Sequence, residues 1–145
     1  MSEKVLVGAD HAGFELKQKL VAELKRLGYE PVDVGPKTLD PQDDYPDYGK
    51  PVAEAVSEGK VHWGVLACGT GLGMSYVANR FPHVRAAVVW SPEIAELARR
   101  HNDANVLVLA SRFLPDEENL EILHRFLDTP FDGGRHERRV EKIDE

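Results

Sequence analysis

Short apolar runs alternate along this chain with segments in which apolar residues recur every three or four positions. The runs are rich in Val, Leu and Ala, a composition typical of parallel strands that are covered on both faces. The recurring apolar positions predict amphipathic helices between the strands. The predicted strands cover residues 5–7, 31–34, 63–67, 86–90 and 106–110.

Capping residues mark several helix boundaries. Ser91-Pro92-Glu93 combines a capping hydroxyl, a proline in the first turn and an acid that the helix dipole favours. Gly28 stands where a helix C-terminus is expected, after leucines at helical spacing. The predicted helices cover residues 16–27, a stretch around 52–58, residues 74–79, a helix after Ser91, a helix after Pro115 and the basic tail after Gly134.

The order of these elements is strand then helix, five times. Strands joined in this way pair in parallel and carry helices on both faces. The sequence therefore predicts an α/β fold: a single doubly wound, Rossmann-like domain with a five-stranded parallel sheet. The 145 residues suit one such domain over residues 1–145, without an internal repeat or linker.

Composition narrows the classes of function. The formal net charge of −7 argues against nucleic acid or an anionic membrane as the partner. No stretch approaches the roughly 20 apolar residues of a membrane-spanning helix, and the N-terminal residues do not resemble a signal peptide. Cys68 is the single cysteine, which excludes an intrachain disulfide and a cysteine-based zinc site. We expect a cytoplasmic protein.

The charge is unevenly distributed. Four aspartates crowd one loop at residues 40–47, whereas Arg135, Arg138 and Arg139 crowd the tail. A basic cluster on an acidic protein suits a small anion better than a polyanion, and a solvated charged tail is the alternative interpretation.

Doubly wound sheets bind ligands beyond the carboxyl ends of their strands. Asp10 and His11 follow the first predicted strand, and the glycine-rich loop 68–73 (Cys-Gly-Thr-Gly-Leu-Gly) follows the third. Its glycines let backbone N–H groups turn toward a ligand, and a helix begins there, so the loop suits an anion or a developing oxyanion. A tight strand-to-helix turn with no ligand is the alternative.

Met74 separates this loop from better-known signatures. A G-x-G-x-x-G motif would need glycine at this position, and a tyrosine-phosphatase loop would need arginine there. A Walker A loop would need a Gly-Lys-Ser/Thr ending, which is absent. Dinucleotide binding, nucleotide hydrolysis and cysteine-phosphatase chemistry are therefore disfavoured.

Cys68 has two interpretations. A free cysteine is most often a small buried apolar residue. At a helix N-terminus, however, the thiolate is stabilised, and the pKa can fall from about 8.5 to the range of roughly 3.5–7.5. We expect such a lowered pKa here, which would let Cys68 accept a proton near neutral pH.

His101 and Asn102 lie between a predicted helix and the fifth strand, which places them at the amino edge of the sheet, away from Cys68. They either stabilise a helix terminus or serve the site of a neighbouring subunit. Tyr45 either packs against the glycine-rich loop or contacts a ligand. Three further histidines show no ligand-like pairing and are expected to be structural or surface residues: His62, His83 and His124. No metal cluster is predicted.

Six motifs occur along nearly the whole chain in one order. The motifs are Gly8-Ala9-Asp10-His11-Ala12-Gly13-Phe14, Asp44-Tyr45-Pro46, Cys68-Gly69-Thr70-Gly71, Ala78-Asn79-Arg80, His101-Asn102-Asp103-Ala104-Asn105-Val106-Leu107, and Gly133-Gly134-Arg135-His136 with Arg139. Through these motifs the chain resembles the type B ribose-5-phosphate isomerases and the related galactose-6-phosphate isomerase subunits.

The resemblance implies interconversion of ribose 5-phosphate and ribulose 5-phosphate without a metal or cofactor. It implies that Cys68 is the base, that His101 with Asp10 assists ring opening, and that Thr70 and the loop amides steady the enediolate. Asn102 would bind sugar hydroxyls. The remaining implied substrate-binding residues are His11, Arg112, Arg135 and Arg139 for the phosphate, and Ala9, Tyr45, Gly69, Gly71, Leu72 and Gly73 around the sugar.

The resemblance also implies a homodimer, or a dimer of dimers, with sites shared between subunits. A subgroup of the family takes its base from a glutamate four residues after the cysteine position, which is Leu72 here, so the chain is similar to the cysteine group. Three alternatives remain open: the same chemistry on another sugar phosphate, a non-catalytic phosphosugar-binding protein, and a redox role for the thiol.

Overall fold

The protein, described here by a computed structural model over residues 2–145, is built on one parallel sheet. The sheet has five strands in the order β2-β1-β3-β5-β4. Every neighbouring pair is parallel. The strands are β1 (Lys4–Ala9), β2 (Glu30–Gly35), β3 (Trp63–Cys68), β4 (Ala86–Val88) and β5 (Val106–Ala110).

Helices cover both faces of the sheet. Alternate residues of β1, β3 and β5 point to opposite faces, so each face has its own apolar core. Leucines of α1 pack on one face with α4 and α5, and valines of α2 pack on the other face with α3. The helices are α1 (Phe14–Arg26), α2 (Pro46–Ser57), α3 (Leu72–Ala78), α4 (Pro92–Asn102), α5 (Asp116–Asp128) and α6 (Arg135–Glu141).

This architecture confirms the predicted doubly wound α/β fold, with local differences. α2 begins at Pro46, whereas the polar residues up to about Tyr48 were predicted to be a loop. The last of these residues, Asp47 and Tyr48, form the first turn of the helix. β4 ends at Val88, two residues before the predicted end. The Trp90 side chain there leaves the sheet, and its indole N–H donates to the Thr70 carbonyl at 3.3 Å.

The strand order creates one crevice at the carboxyl edge. The chain runs from β1 outward to β2 and then returns to place β3 on the other side of β1. Connections therefore leave β1 and β3 in opposite directions, which opens a cleft between their carboxyl ends. Residues that follow β1 and β3 line this cleft.

None of the helices in residues 2–145 is long and apolar enough to cross a membrane.

Candidate active site

Asp10 and Cys68 lie at the two sides of the crevice. Asp10 directly follows β1, and its backbone N–H donates to the Ala67 carbonyl at 3.3 Å. Its carboxylate accepts the Gly13 N–H at 3.1 Å, which caps the short 3₁₀ turn His11–Gly13. A Cβ on Gly13 would stand 2.6 Å from the Ala67 carbonyl oxygen. Glycine at this position therefore lets the turn press against β3 beside Cys68.

The loop after β3 directs backbone amides at the thiol. Gly71 has φ of 86°, a left-handed conformation that favours glycine. This turn brings the Gly71 N–H to 3.2 Å from Cys68 Sγ. The Thr70 hydroxyl oxygen accepts the Leu72 N–H at 3.1 Å, which leaves the hydroxyl proton available for a ligand.

The expected lowering of the Cys68 pKa is wrong for this chain: the pKa is raised. Burial is the largest cause, because only 4% of the residue is exposed and the thiolate loses its hydration. Amides of Met74, Gly71 and Thr70 lower the pKa, but together they do not offset burial, and the Asp10 charge raises it further. The thiol therefore stays protonated at neutral pH until something favours its anion.

A cavity of about 360 Å³ opens above the thiol. Tyr45 closes one side, and its ring packs on Gly73, where a Cβ would stand 2.8 Å from the ring. This contact explains why residue 73 is a glycine, since any side chain there would collide with the Tyr45 ring. The cavity is lined by Asp10, Tyr45, Cys68, Gly69, Thr70, Gly73, Arg112 and Phe113.

Arg112 supplies positive charge to this cavity. It follows β5, and its side chain runs along Gly69, where a Cβ would stand 3.2 Å from Arg112 Cδ. No carboxylate within residues 2–145 forms an ion pair with its guanidinium. Arg112 also borders a second cavity of about 330 Å³ that includes His11. An exposed guanidinium between two cavities can bind an anion bidentately.

Asp43 is a residue that the sequence reasoning did not single out. One of its carboxylate oxygens lies 2.8 Å from His11 Nδ1 and accepts the His11 backbone N–H at 3.1 Å. The Asp43 side chain is 4% exposed, and its other oxygen is buried without a hydrogen-bond partner within the described chain. Asp43 therefore orients His11 toward the second cavity. Its place in an acidic loop concealed this role.

Phe113 and Trp90 were also not predicted as part of the site. Their rings stack with centroids 5.5 Å apart and an interplanar angle of 10°, and both are largely exposed. Phe113 lines the cavity above Cys68. Its position directly after Arg112 at the end of β5 was the available signal.

The other predicted site residues divide into two groups: Ala9 and Leu72 belong to the carboxyl edge, and the rest lie at the amino edge of the sheet. The Ala9 side chain is fully buried in the core, because it faces α1 and α5, so only its backbone can meet a ligand. Leu72 is exposed at the start of α3.

The second group lies at the opposite edge of the sheet, where α4 ends. A separate cavity of about 280 Å³ there is lined by His101, Asn102, His136, Arg139, Val140 and Ile143. Arg135 begins α6 beside this cavity. The pKa of His136 is lowered, first by loss of hydration and then by the nearby His101, Arg135 and Arg139. The residues lining this cavity and those lining the cavity above Cys68 do not overlap. One chain therefore does not bring His101 and Cys68 together.

Residues 5–143 match the family model described as Ribose/Galactose Isomerase. This chain belongs to the ribose/galactose isomerase family. The match covers nearly the whole chain, including both edges of the sheet.

Relatives within the ribose/galactose isomerase family are similar over their full lengths. The ribose-5-phosphate isomerase B of Escherichia coli is 44% identical over 141 residues, which is 97% of this chain and 94% of the relative. A ribose 5-phosphate isomerase structure from Thermotoga maritima is 47% identical, with a TM-score of 0.94 and 99% of each chain covered.

One solved member of the family carries a ligand. The ribose-5-phosphate isomerase B of Mycoplasma genitalium, solved with bound ribulose 5-phosphate, is 44% identical to this chain. The TM-score is 0.95, and the alignment covers 99% of this chain and 95% of that one.

The raised pKa of Cys68 predicts the pH dependence of its alkylation. Since Cys68 is the single cysteine, the rate of its reaction with iodoacetamide, followed by mass spectrometry, reports one site. We expect the rate to increase with pH to a midpoint above the usual value of about 8.5, because burial disfavours the thiolate. The same chain unfolded in guanidinium should show the ordinary midpoint. A folded-state midpoint below that of the unfolded chain would mean that the loop amides outweigh burial.

Proposed function

We propose that this protein interconverts ribose 5-phosphate and ribulose 5-phosphate, with Cys68 as the base that carries the proton between C1 and C2. The observation that supports this most is the setting of the thiol. Cys68 Sγ lies under a glycine-rich loop whose amides point at it, beside Asp10 and in a cavity bordered by Arg112. The family membership supports the class of reaction.

The geometry suits removal of a proton next to a carbonyl group. A thiolate formed in this buried cavity is a strong base, because burial raises its pKa. When it takes the proton from C2, negative charge moves from sulfur to the sugar oxygens, giving an enediolate. Amides of the glycine-rich loop and the Thr70 hydroxyl proton are available to stabilise that charge. The thiol then returns the proton to C1 while the hydroxyl proton of O2 passes to O1, which gives the ketose and regenerates the thiolate.

Phosphate binding is supported by the Arg112 and His11 side chains around the two carboxyl-edge cavities. Arg112 borders both cavities, and His11 is held by Asp43 in the second. We propose that these two side chains contact the phosphate while C1 and C2 lie near Cys68. Tyr45 would enclose the sugar between them.

Ring opening moves a proton from the anomeric hydroxyl to the ring oxygen, and within residues 2–145 the cavity above Cys68 is lined by no histidine that could carry it. Asp10 is the one carboxylate of the described chain that lines this cavity, and only one of its oxygens caps the Gly13 N–H, which leaves the other available. We propose that His101, Asn102, Arg135 and Arg139 reach this site from a second copy of the chain, so that the active enzyme is a homodimer or a dimer of dimers. The separation of the two edges within one chain supports a shared site.

A cytoplasmic location follows from the proposal, because the mechanism needs Cys68 to remain a free thiol and a reducing compartment preserves it.

A panel of aldose phosphates assayed in EDTA tests the reaction and the base together. We expect turnover of ribose 5-phosphate by the wild type, and a loss of about 10²–10⁴-fold or more in Cys68→Ser, because a serine hydroxyl loses its proton far less readily than a thiol and so does not supply the anionic base. Lys60→Ala, exposed and remote from the cavity, serves as the matched control, and thermal melting checks folding.

The panel also separates the alternatives. Preference for a six-carbon or four-carbon phosphate would retain the mechanism and change the substrate. Absence of turnover of every sugar, with retained phosphosugar binding, would favour the non-catalytic alternative. Full activity in Cys68→Ser would refute the assignment of the base.

Subunit complementation tests the shared site. Cys68→Ala and His101→Ala should each be nearly inactive alone. Mixed after dissociation and reassociation, they should recover about a quarter of wild-type activity, because half of the dimers are hybrids and each hybrid holds one intact site. Recovery needs the two residues to come from different chains. No recovery, with hybrid formation verified by differential tagging, would place both residues in one chain's site.

Asp43→Asn tests the proposed orientation of His11. An amide weakens the contact with the His11 ring, so we expect the KM for ribose 5-phosphate to rise about tenfold, in keeping with a charged hydrogen bond, with little change in kcat. Asp47→Asn, in the same acidic region and exposed, is the control. A fall in kcat at unchanged KM would contradict a role in phosphate binding.

A further inference from the structure

His101, Asp132 and His136 converge at the amino edge of the sheet. His101 lies in the last turn of α4, His136 lies in the first turn of α6, and Asp132 precedes α6. One potential ligand atom from each lies within 4.8 Å of the others. The two imidazole rings stack with centroids 4.4 Å apart and an interplanar angle of 13°, so one ring must rotate before both can bind the same ion. This is the only group of three such side chains that the structure brings together among residues 2–145.

The cluster is anchored on one side and adjustable on the other. The Asp132 N–H donates to the Arg100 carbonyl at 3.0 Å, which ties the loop to the last turn of α4. Helix α6, which carries His136, has no buried residue, so little packing opposes a small shift of its side chains.

The imidazole nitrogens are available as ligands. Neither His101 nor His136 forms a side-chain hydrogen bond or ion pair within the described chain, whereas His11, His83 and His124 each pair with a carboxylate. Asp132 shares its oxygens with the Arg100 guanidinium at 3.3 Å, an exposed contact that a metal can replace at small cost.

We propose that His101, Asp132 and His136 form a binding site for Zn²⁺ or a similar late first-row ion, and that the bound ion inhibits the enzyme by occupying His101. The inhibitory part rests on the proposed function, in which His101 moves a proton during ring opening. The binding part stands on the three side chains alone.

The chemistry of the three side chains selects the class of ion. Two imidazoles and one carboxylate are the ligands of open tetrahedral zinc sites, with Zn–N bonds of about 2.0–2.1 Å. Donors bound to one ion lie about 3.3 Å apart, so pairs of donor atoms that now lie within 4.8 Å must close by up to about 1.5 Å. The fourth position stays open to water or to an anion held by Arg139, which borders the same cavity.

The surrounding arginines sharpen this selection. Arg100, Arg135 and Arg139 weaken the purely electrostatic attraction for a cation, which disfavours Mg²⁺ and Ca²⁺, since these ions depend on anionic oxygen ligands. Imidazole coordination favours Cu²⁺, Zn²⁺, Ni²⁺ and Co²⁺ instead. We therefore expect the site to distinguish Zn²⁺ from Mg²⁺.

Metal binding can be measured without reference to activity. Metal-free protein is titrated with Co²⁺ and followed by visible absorption, and with Zn²⁺ by calorimetry. We expect one ion per chain, d–d bands of a nitrogen-containing low-coordinate site, and no comparable binding of Mg²⁺. Asp132→Asn and His136→Gln should each lower the Zn²⁺ affinity about tenfold or more. His83→Gln, a surface histidine with a single carboxylate neighbour, is the matched control.

Inhibition is then measured as turnover with Zn²⁺ relative to the same variant's turnover in EDTA. We expect Zn²⁺ to inhibit the wild type reversibly, and higher concentrations to be needed for Asp132→Asn. Zn²⁺ binding that is absent, or equally strong in the Asp132 and His136 variants, would overturn the site. Binding at the site with unchanged turnover would overturn the inhibition. If the protein fails to isomerise any sugar phosphate, the proposed function fails, while the Co²⁺ spectra still decide the metal site.

Discussion

The parallel pairing of β1 with β3, with β2 on the far side of β1, is the constraint on which the site depends. It opens the crevice at the carboxyl edge and brings the residues after both strands together. Close approach then becomes possible because Gly13 has no side chain to meet the Ala67 carbonyl. Asp10 and Cys68 are 58 positions apart in the chain, yet this single pairing makes them neighbours.

Desolvation governs the chemistry of Cys68. The helix start and the glycine-rich loop supply amides that favour the thiolate, as the sequence suggested, but the same loop also closes over the sulfur and excludes water. Loss of hydration is the larger effect, so the pKa is raised. The outcome is a thiol that is largely protonated at neutral pH.

The arginines and histidines of the predicted site are divided between the two edges of the sheet. Arg112 and the His11–Asp43 pair lie at the carboxyl edge, whereas Arg135, Arg139 and the two stacked histidines lie at the amino edge. In an α/β sheet the helices return the chain to the amino edge, so residues that end a helix and residues that end a strand are separated by the length of the sheet. Contact between the two sets needs a second chain. The same division leaves His101 and His136 without partners in one chain and exposes their nitrogens to a metal ion.

The sequence by itself determined the fold class, the five strands and the position of the carboxyl-edge site, because strand and helix periodicity are local and Asp10 and Cys68 directly follow strands. It also supplied the motifs that identify the family. Only the tertiary structure decided the roles of residues whose partners are distant in the chain. Asp43 acquires its role from His11, 32 positions away, Gly73 from the Tyr45 ring, and Asp132 from two histidines on different helices. The pKa of Cys68 belongs to the same group, because burial is a property of the packed chain and no local pattern of residues records it.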